Sequence, residues 1–308
     1  MDSGFIIYLN IPVFLAYARE KYVNSLLFLG LTCYEVNDII YEMTNHIKFG
    51  ISLLTLLAMV LFPSLCCATN WDIQVENNFA AATYIEKHFS ADSNWTAFCY
   101  KPTIAADYHQ ERGVIARVDF SIPLTTTADE KWYYNEEKYQ TNDMSFWGLD
   151  TNVELGYIIP VIIDKMDVAV IGAYGYRFER FSRSDPTNTN TIPGLSILDQ
   201  DYNVQHLDIG AKFFYNANEQ LNLDLKALYG FVVYNSVKNS AVGTVVGDGG
   251  FLFKTEANVN YNFYANWVFS LGAFFDVLHL EGGDSDNFTW PDSDMYIYGG
   301  KTSLKYTF

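Results

Sequence analysis

From Tyr296 to Phe308 the chain alternates between two kinds of side chain. Tyr296, Tyr298, Gly300, Thr302, Leu304, Tyr306 and Phe308 share one face, and Ile297, Gly299, Lys301, Ser303, Lys305 and Thr307 share the other. A period of two is that of a β-strand. The first face is mainly aromatic or apolar; the second is mostly polar and carries two lysines. Such a strand suits the edge of a soluble sandwich or the wall of a barrel between lipid and a wet lumen. One strand does not decide between these; recurrence does.

The pattern recurs. Leu221, Leu223, Leu225, Ala227, Tyr229, Phe231 and Val233 oppose Asn222, Asp224 and Lys226. Phe251, Phe253, Ala257, Val259, Tyr261 and Phe263 oppose Lys254, Glu256, Asn258, Asn260 and Asn262. Trp147 to Ile159 and Val114 to Ile122 alternate in the same way, and further strands read near 203–215, 168–180, 267–279, 98–108 and 71–85. The apolar faces are flanked by aromatics at both ends, which a sandwich does not expose to water and a membrane barrel places at the headgroups. The expected fold is all-β: a transmembrane antiparallel β-barrel of about ten strands. Closure removes the sheet edges that hydrocarbon does not tolerate.

Composition agrees. Half of the residues are hydrophobic, with 23 Tyr and 23 Phe, yet mean hydropathy is only +0.01. That combination follows when half of each strand is apolar. A net charge of -17 excludes a nucleic-acid partner. The four cysteines, Cys33, Cys66, Cys67 and Cys99, form no Cys-x-x-Cys or Cys/His cluster, so no metal site and no cofactor is expected.

The strongly hydrophobic run Ile51 to Phe62 is too short to span a bilayer as a helix. It follows Lys48 and leads to Cys-Cys-Ala68, the plan of a secretory signal peptide cleaved after Ala68. The organisation expected is a gene-model extension over 1–42, a signal peptide over 43–68 and one barrel domain over 69–308. Localisation follows: exported, cleaved and inserted in a bacterial outer membrane by the barrel-assembly machinery.

Short connections are expected near 109–113, 160–166, 216–220 and 264–266, facing the periplasm. Long polar loops are expected at 125–144, 182–201, 235–249 and 281–294, facing outward. The inward-facing charges are Lys101, Asp107, Arg117, Asp119, Asp150, Glu154, Arg177, Glu179, His206, Asp208, Lys212, Asp224, Lys226, Lys254, Glu256, Asp276, Lys301 and Lys305. They read either as salt bridges filling a narrow lumen or as the lining of a small water-filled pore. Surface ligands or small solutes are the partners that go with these two readings. The Asp284-Ser-Asp-Asn287 cluster lacks the glycine and distal Glu of a calcium loop and reads as a solvated loop.

The terminal Leu304-Lys-Tyr-Thr-Phe308, Gly172-Ala-Tyr-Gly-Tyr-Arg-Phe178 and the strand order resemble omptins, outer-membrane proteases with a ten-stranded barrel. The resemblance implies water activation by an Asp pair near the second outer loop and an Asp-x-His pair near the fourth. Asp129 matches one acid, but Lys131 stands in place of the other, and Tyr234 to Asn239 offers no histidine. Without an imidazole base that mechanism lacks its proton acceptor. Asp107-Tyr-His109 sits at a periplasmic turn, His279 falls on the lipid-facing parity, and His206 with Asp208 reads as a buried polar pair. Size and texture are also similar to porin-like outer-membrane proteins of chlamydia-related bacteria. The expected function is a non-enzymatic barrel, acting as a narrow porin-like pore or as a structural and interaction protein of the surface. An omptin-like endoprotease is the alternative.

Overall fold

The computed structural model describes residues 71–88, 91–110, 113–159, 165–188, 199–239, 243–285 and 288–307. The expected extension and signal peptide, with Cys33, Cys66 and Cys67, and the terminal Phe308 lie outside the described residues. No helix occurs among the described residues. The strands are β1 (Trp71–His88), β2 (Ala91–His109), β3 (Val114–Ser121), β4 (Leu124–Thr125) and β5 (Ala128–Tyr134). There follow β6 (Glu137–Ile159), β7 (Met166–Asn188), β8 (Gln200–Asn216), β9 (Leu221–Asn239) and β10 (Gly243–Val246). The last five are β11 (Gly249–Tyr264), β12 (Trp267–Glu281), β13 (Gly283–Ser285), β14 (Phe288–Trp290) and β15 (Asp292–Thr307).

All pairings are antiparallel, in the order β1-β15-β12-β11-β9-β8-β7-β6-β3-β2. β1 also pairs with β2, from Trp71↔Tyr108 to His88↔Ala91, so the ring of strands closes. The fifteen strands among the described residues exceed the ten expected because one wall position is broken and the hairpins carry strands of their own. Between β2 and β6 the wall is filled in turn by β3, β4 and β5. The break falls at Pro123, which has no N–H for the ladder. Its carbonyl still accepts from Gly148 N at 3.0 Å, and Thr126 N donates to Phe98 O at 3.0 Å.

The molecule has a terminal end, where Trp71 and Thr307 lie, and a hairpin end. Terminal-end turns are short: Asn218 Oδ1 accepts from the backbone N–H of Gln220 and Leu221, both at 2.9 Å. At the hairpin end the structure departs from the sequence reading. The described residues of the stretches expected as loops at 125–144, 182–201, 235–249 and 281–294 are largely strand. β5 and β6 meet at a tight hairpin through Asn135 (φ 48°) and Glu136 (φ 68°), β7 runs on to Asn188, and β10, β13 and β14 build further hairpins.

The reason is a change of surroundings along each strand. On β7, Val168 to Phe178 spans ten residue steps, about 33 Å of strand at ~3.3 Å per residue. Tilted by ~40°, that covers the ~25 Å apolar band of a membrane barrel. Within this belt the outward side chains are mainly apolar: Ile209 is 60% exposed, Leu225 56% and Phe231 57%. Tyr174 and Tyr176 rim it on the hairpin side, donating to Gln205 Oε1 (2.9 Å) and Asn203 Oδ1 (2.8 Å). Trp267 and Tyr306 pack ring to ring at the terminal rim. Beyond Phe178 the pattern inverts. Arg180, Ser182 and Ser184 face outward while Phe181 and Arg183 are buried. On β2, Asn94 and Thr96 are exposed while Trp95, Ala97 and Cys99 are buried. The chain is thus a transmembrane antiparallel β-barrel whose wall continues past the lipid belt as a water-exposed crown.

Candidate functional site

Inside the belt, parity sends the polar face of every strand into the ring. Arg117 donates to Glu76 (2.6 Å), Asp107 (3.2 Å) and Asp119 (3.2 Å). Glu76 also lies 3.7 Å from Lys301, which bonds Glu256 at 2.7 Å. Glu256 pairs with Lys226 at 3.1 Å, and Lys226 reaches Glu154 at 2.9 Å. One ionic chain therefore runs through β2, β3, β1, β15, β11, β9 and β6. Nearer the hairpin end, Arg177 bridges Asp276 (2.6 Å) and Asp150 (3.3 Å), with Glu179 at 3.8 Å and Lys101 on Asp150 at 2.7 Å. His206 and Asp208 are fully buried, 2.6 Å apart, and Lys254 stands 3.9 Å from Asp208. Lys212–Asp224 (3.6 Å) and Lys305–Asp72 (2.8 Å) lie at the terminal end. Every charge anticipated inside the ring has an opposite or titratable partner there. Asp72 and Glu76 were missed because β1 alternates weakly in sequence.

Sequence reasoning also missed what lies above these charges. A contiguous apolar layer crosses the interior, built from Tyr84, Trp95, Met144, Phe181, Tyr202, Leu252, Leu278 and Ile297, each under 5% exposed, with Trp290 above. Phe181 packs against Tyr84, Phe146 and Tyr202 with ring centroids 4.7, 5.3 and 5.4 Å apart. Side chains close-packed in this way leave no room for water. Below the layer the lumen holds a cavity of about 60 Å³ among Lys101, Asp150, Asn152 and Asp276. It widens at the terminal end to a vestibule of about 250 Å³. The lumen is blind: wide at the terminal end, ion-filled in the middle, dry towards the hairpins. The inverted alternation of Met144 and Phe146 against Asp143 and Ser145 was the signal available in sequence.

The crown is fastened by a second buried cluster. Arg183 grips Glu130 in a fork, Nε to Oε2 at 2.7 Å and Nη2 to Oε1 at 2.8 Å. Asn142 donates to the same carboxylate at 3.0 Å, and the guanidinium lies 5.9 Å from the Trp132 ring. Burial raises the Glu130 carboxyl pKa, but Arg183 outweighs it and holds it below the usual range. Glu86, 3.8 Å from Arg183, goes the other way because its burial dominates. Tyr84 donates to Glu86 at 2.8 Å, and Trp290 Nε1 donates to Tyr202 OH at 3.3 Å, tying the clamp to the apolar layer. Asn235 staples the neighbouring hairpins, donating to Gly249 O (2.7 Å) and Glu281 O (3.2 Å).

Asp129, the acid aligned with the protease pattern, is exposed on β5; its buried neighbour Glu130 is the carboxylate that pairs with Arg183. His279 lies on the outer wall as its parity implied, with Nδ1 2.7 Å from Asp294 Oδ1 and its ring stacked on Phe251. Lys87 joins that carboxylate at 3.1 Å. His109, at the terminal end, is 3.5 Å from Asp72.

No protein-family model matches the chain, and no curated protein sequence matches it. Among solved structures, it is similar to the translocator domain of the autotransporter NalP from Neisseria meningitidis. That match has 12% identity, covers 86% of this chain and 98% of that one, and has a TM-score of 0.40. A major outer membrane protein from Thermus thermophilus gives 13% identity, 78% and 98% coverage and a TM-score of 0.34. Neisserial surface protein A gives 11%, 77% and 97%, and 0.28. Likenesses at this level say nothing of function, which rests on the geometry above.

Proposed function

We propose that this chain is an exported bacterial outer-membrane barrel that does not conduct, and whose working part is the hairpin crown presented at the cell surface. The observation that carries this reading is the dry apolar layer across the lumen. Ion conduction needs a wetted path with sites that bind and release, and aromatic rings packed at 4.7 to 5.4 Å leave none. Short turns at the terminal end and long hairpins at the other support an orientation with the terminal end in the periplasm. Outer-membrane lipid and the assembly machinery are then the partners of the belt, and a surface ligand is the partner of the crown. The signal peptide over 43–68 supplies the export this requires.

The test is single-channel recording on protein extracted from outer membranes, its folding verified by heat-modifiable gel migration. Silent membranes are expected. A variant with Trp95, Phe181 and Tyr202 all changed to Ala is expected to open. Discrete openings by the parent protein would refute the proposal. The omptin-like alternative lacks a favouring observation: among the described histidine side chains, the one towards the hairpin end is His279, already bonded to Asp294 on the outer wall.

A further inference from the structure

The vestibule at the terminal end is more than leftover space. At about 250 Å³ it far exceeds the ~10–15 Å³ that admits one water, and falls just short of the ~300–1,000 Å³ of drug-sized sites. Its wall carries five carboxylates and five Lys or Arg side chains. A ligand of net charge would leave one buried charge uncompensated on entry, which is costly. A neutral polar molecule meets no such penalty.

The wall also keeps hydrogen-bonding capacity in reserve. Asp72 is 1% exposed, and its Oδ1 has no hydrogen-bond partner among the described residues. Asn258 Oδ1, buried on β11 three strands round the ring, has none either. Lys212 has spare donors: it stands 3.6 Å from Asp224, beyond hydrogen-bond reach, with its ammonium 4.7 Å above the Phe214 ring. β1 and β8 lie five steps apart round the ring, so Asp72 and Lys212 face each other across the opening. A spare donor and an aromatic face on a net-neutral cup, with unsatisfied acceptors buried just behind its wall, complement a molecule with hydroxyls at its rim and C–H groups on its faces.

We propose that the vestibule binds a neutral saccharide of one or two rings, entering from the terminal end. This goes beyond the surface role of the crown and does not depend on it, since the vestibule lies on the other side of the apolar layer.

The test is saturation-transfer NMR on the protein extracted from outer membranes in detergent. The probes are glucose, maltose, glucose 6-phosphate and glycylglycine. Transfer to glucose or maltose is expected, with millimolar Kd, and at least tenfold weaker binding of glucose 6-phosphate. Lys212→Met is expected to weaken the sugar about tenfold, the worth of one hydrogen bond to a charged group. Asn258→Trp, which fills the cup, is expected to abolish transfer; Asn258→Leu serves the same end should the larger residue prevent folding. No transfer to either sugar at tens of millimolar would overturn the proposal. So would sugar binding that survives both Asn258 variants in folded protein, or a preference for glycylglycine, which would make the ligand a zwitterion. Channel recordings on the same preparation read the conduction question separately.

Discussion

Replacing Arg177 by Met tests whether the charges in the ring are structural. Arg177 is 2% exposed and, among the described residues, the sole ion-pair partner of Asp276, at 2.6 Å. It also serves Asp150 at 3.3 Å, which keeps Lys101 at 2.7 Å, and Glu179 at 3.8 Å. Methionine fills much the same space without the cation, so Asp276 is left charged and unpaired inside the barrel. Breaking a buried pair on one side costs ~3–5 kcal/mol, roughly two to three and a half powers of ten in the unfolding constant. Removing both partners, Arg177→Met with Asp276→Leu, eliminates the stranded charge and is expected to recover most of that loss. The assay is urea unfolding in lipid vesicles followed by tryptophan fluorescence, with gel migration as a second readout. A single variant within ~1 kcal/mol of the parent would show that the network is wet and screened rather than buried. A double variant no better than the single would show that Arg177 acts through packing. Neither variant is expected to conduct, because the apolar layer lies above both residues.

Leu225→Arg, on the lipid face, is expected to cost ~2–4 kcal/mol if placed near mid-belt, whereas Asn94→Arg on the outside of the crown stays within ~0.5 kcal/mol; the same urea titration separates them. Gly175 sits against the His206 ring, and an added Cβ would lie 2.7 Å from Asn152 Oδ1. Gly175→Ala is therefore expected to cost ~1–3 kcal/mol, much of it regained with His206→Ala; no recovery would move the conflict to the backbone. The Glu130 carboxyl is depressed, so its grip on Arg183 is full above the unfolded Glu pKa and is lost as pH falls through the lower folded value. Glu86 is raised, so its contribution has the opposite sign and strengthens as it protonates in mild acid. Resistance of the crown to pepsin is expected to persist at mildly acid pH and fail only below the usual carboxylate range; Glu130→Gln should abolish that transition, and an unchanged profile would clear Glu130 of the role.

The belt was legible because lipid and lumen impose opposite demands on adjacent residues. Tyr298 and Leu304 are exposed while Lys301 and Ser303 are buried, as the alternation of the last strand implies. The crown was not legible by the same rule. Thr141, Asp143 and Ser145 resemble a solvated loop when apolar residues are sought on the outside. They are the water-facing half of a strand whose other half, Gln140, Asn142, Met144 and Phe146, is buried. The partners inside the ring were beyond reach for another reason. Arg177 and Asp276 are 99 residues apart and Arg183 and Glu130 are 53 apart, and strand parity says only that each points inward.

That inversion explains why this barrel closes. Within the belt, an outward leucine is already in an apolar medium, so burying it in the ring gains little, and the interior is left to charged groups that need one another. Past Phe178 the outside is water, and the hydrophobic effect of ~25 cal/mol per Å² drives the large side chains inward. Ten wall positions then supply Trp95, Phe181, Tyr202, Leu252 and their neighbours to one level, where they meet as an ordinary protein core. No separate plug domain is required. A wall that extends beyond the membrane and becomes amphipathic in the opposite sense closes its own lumen. Opening a path through this level means removing its large aromatic side chains, against the force that folds the crown.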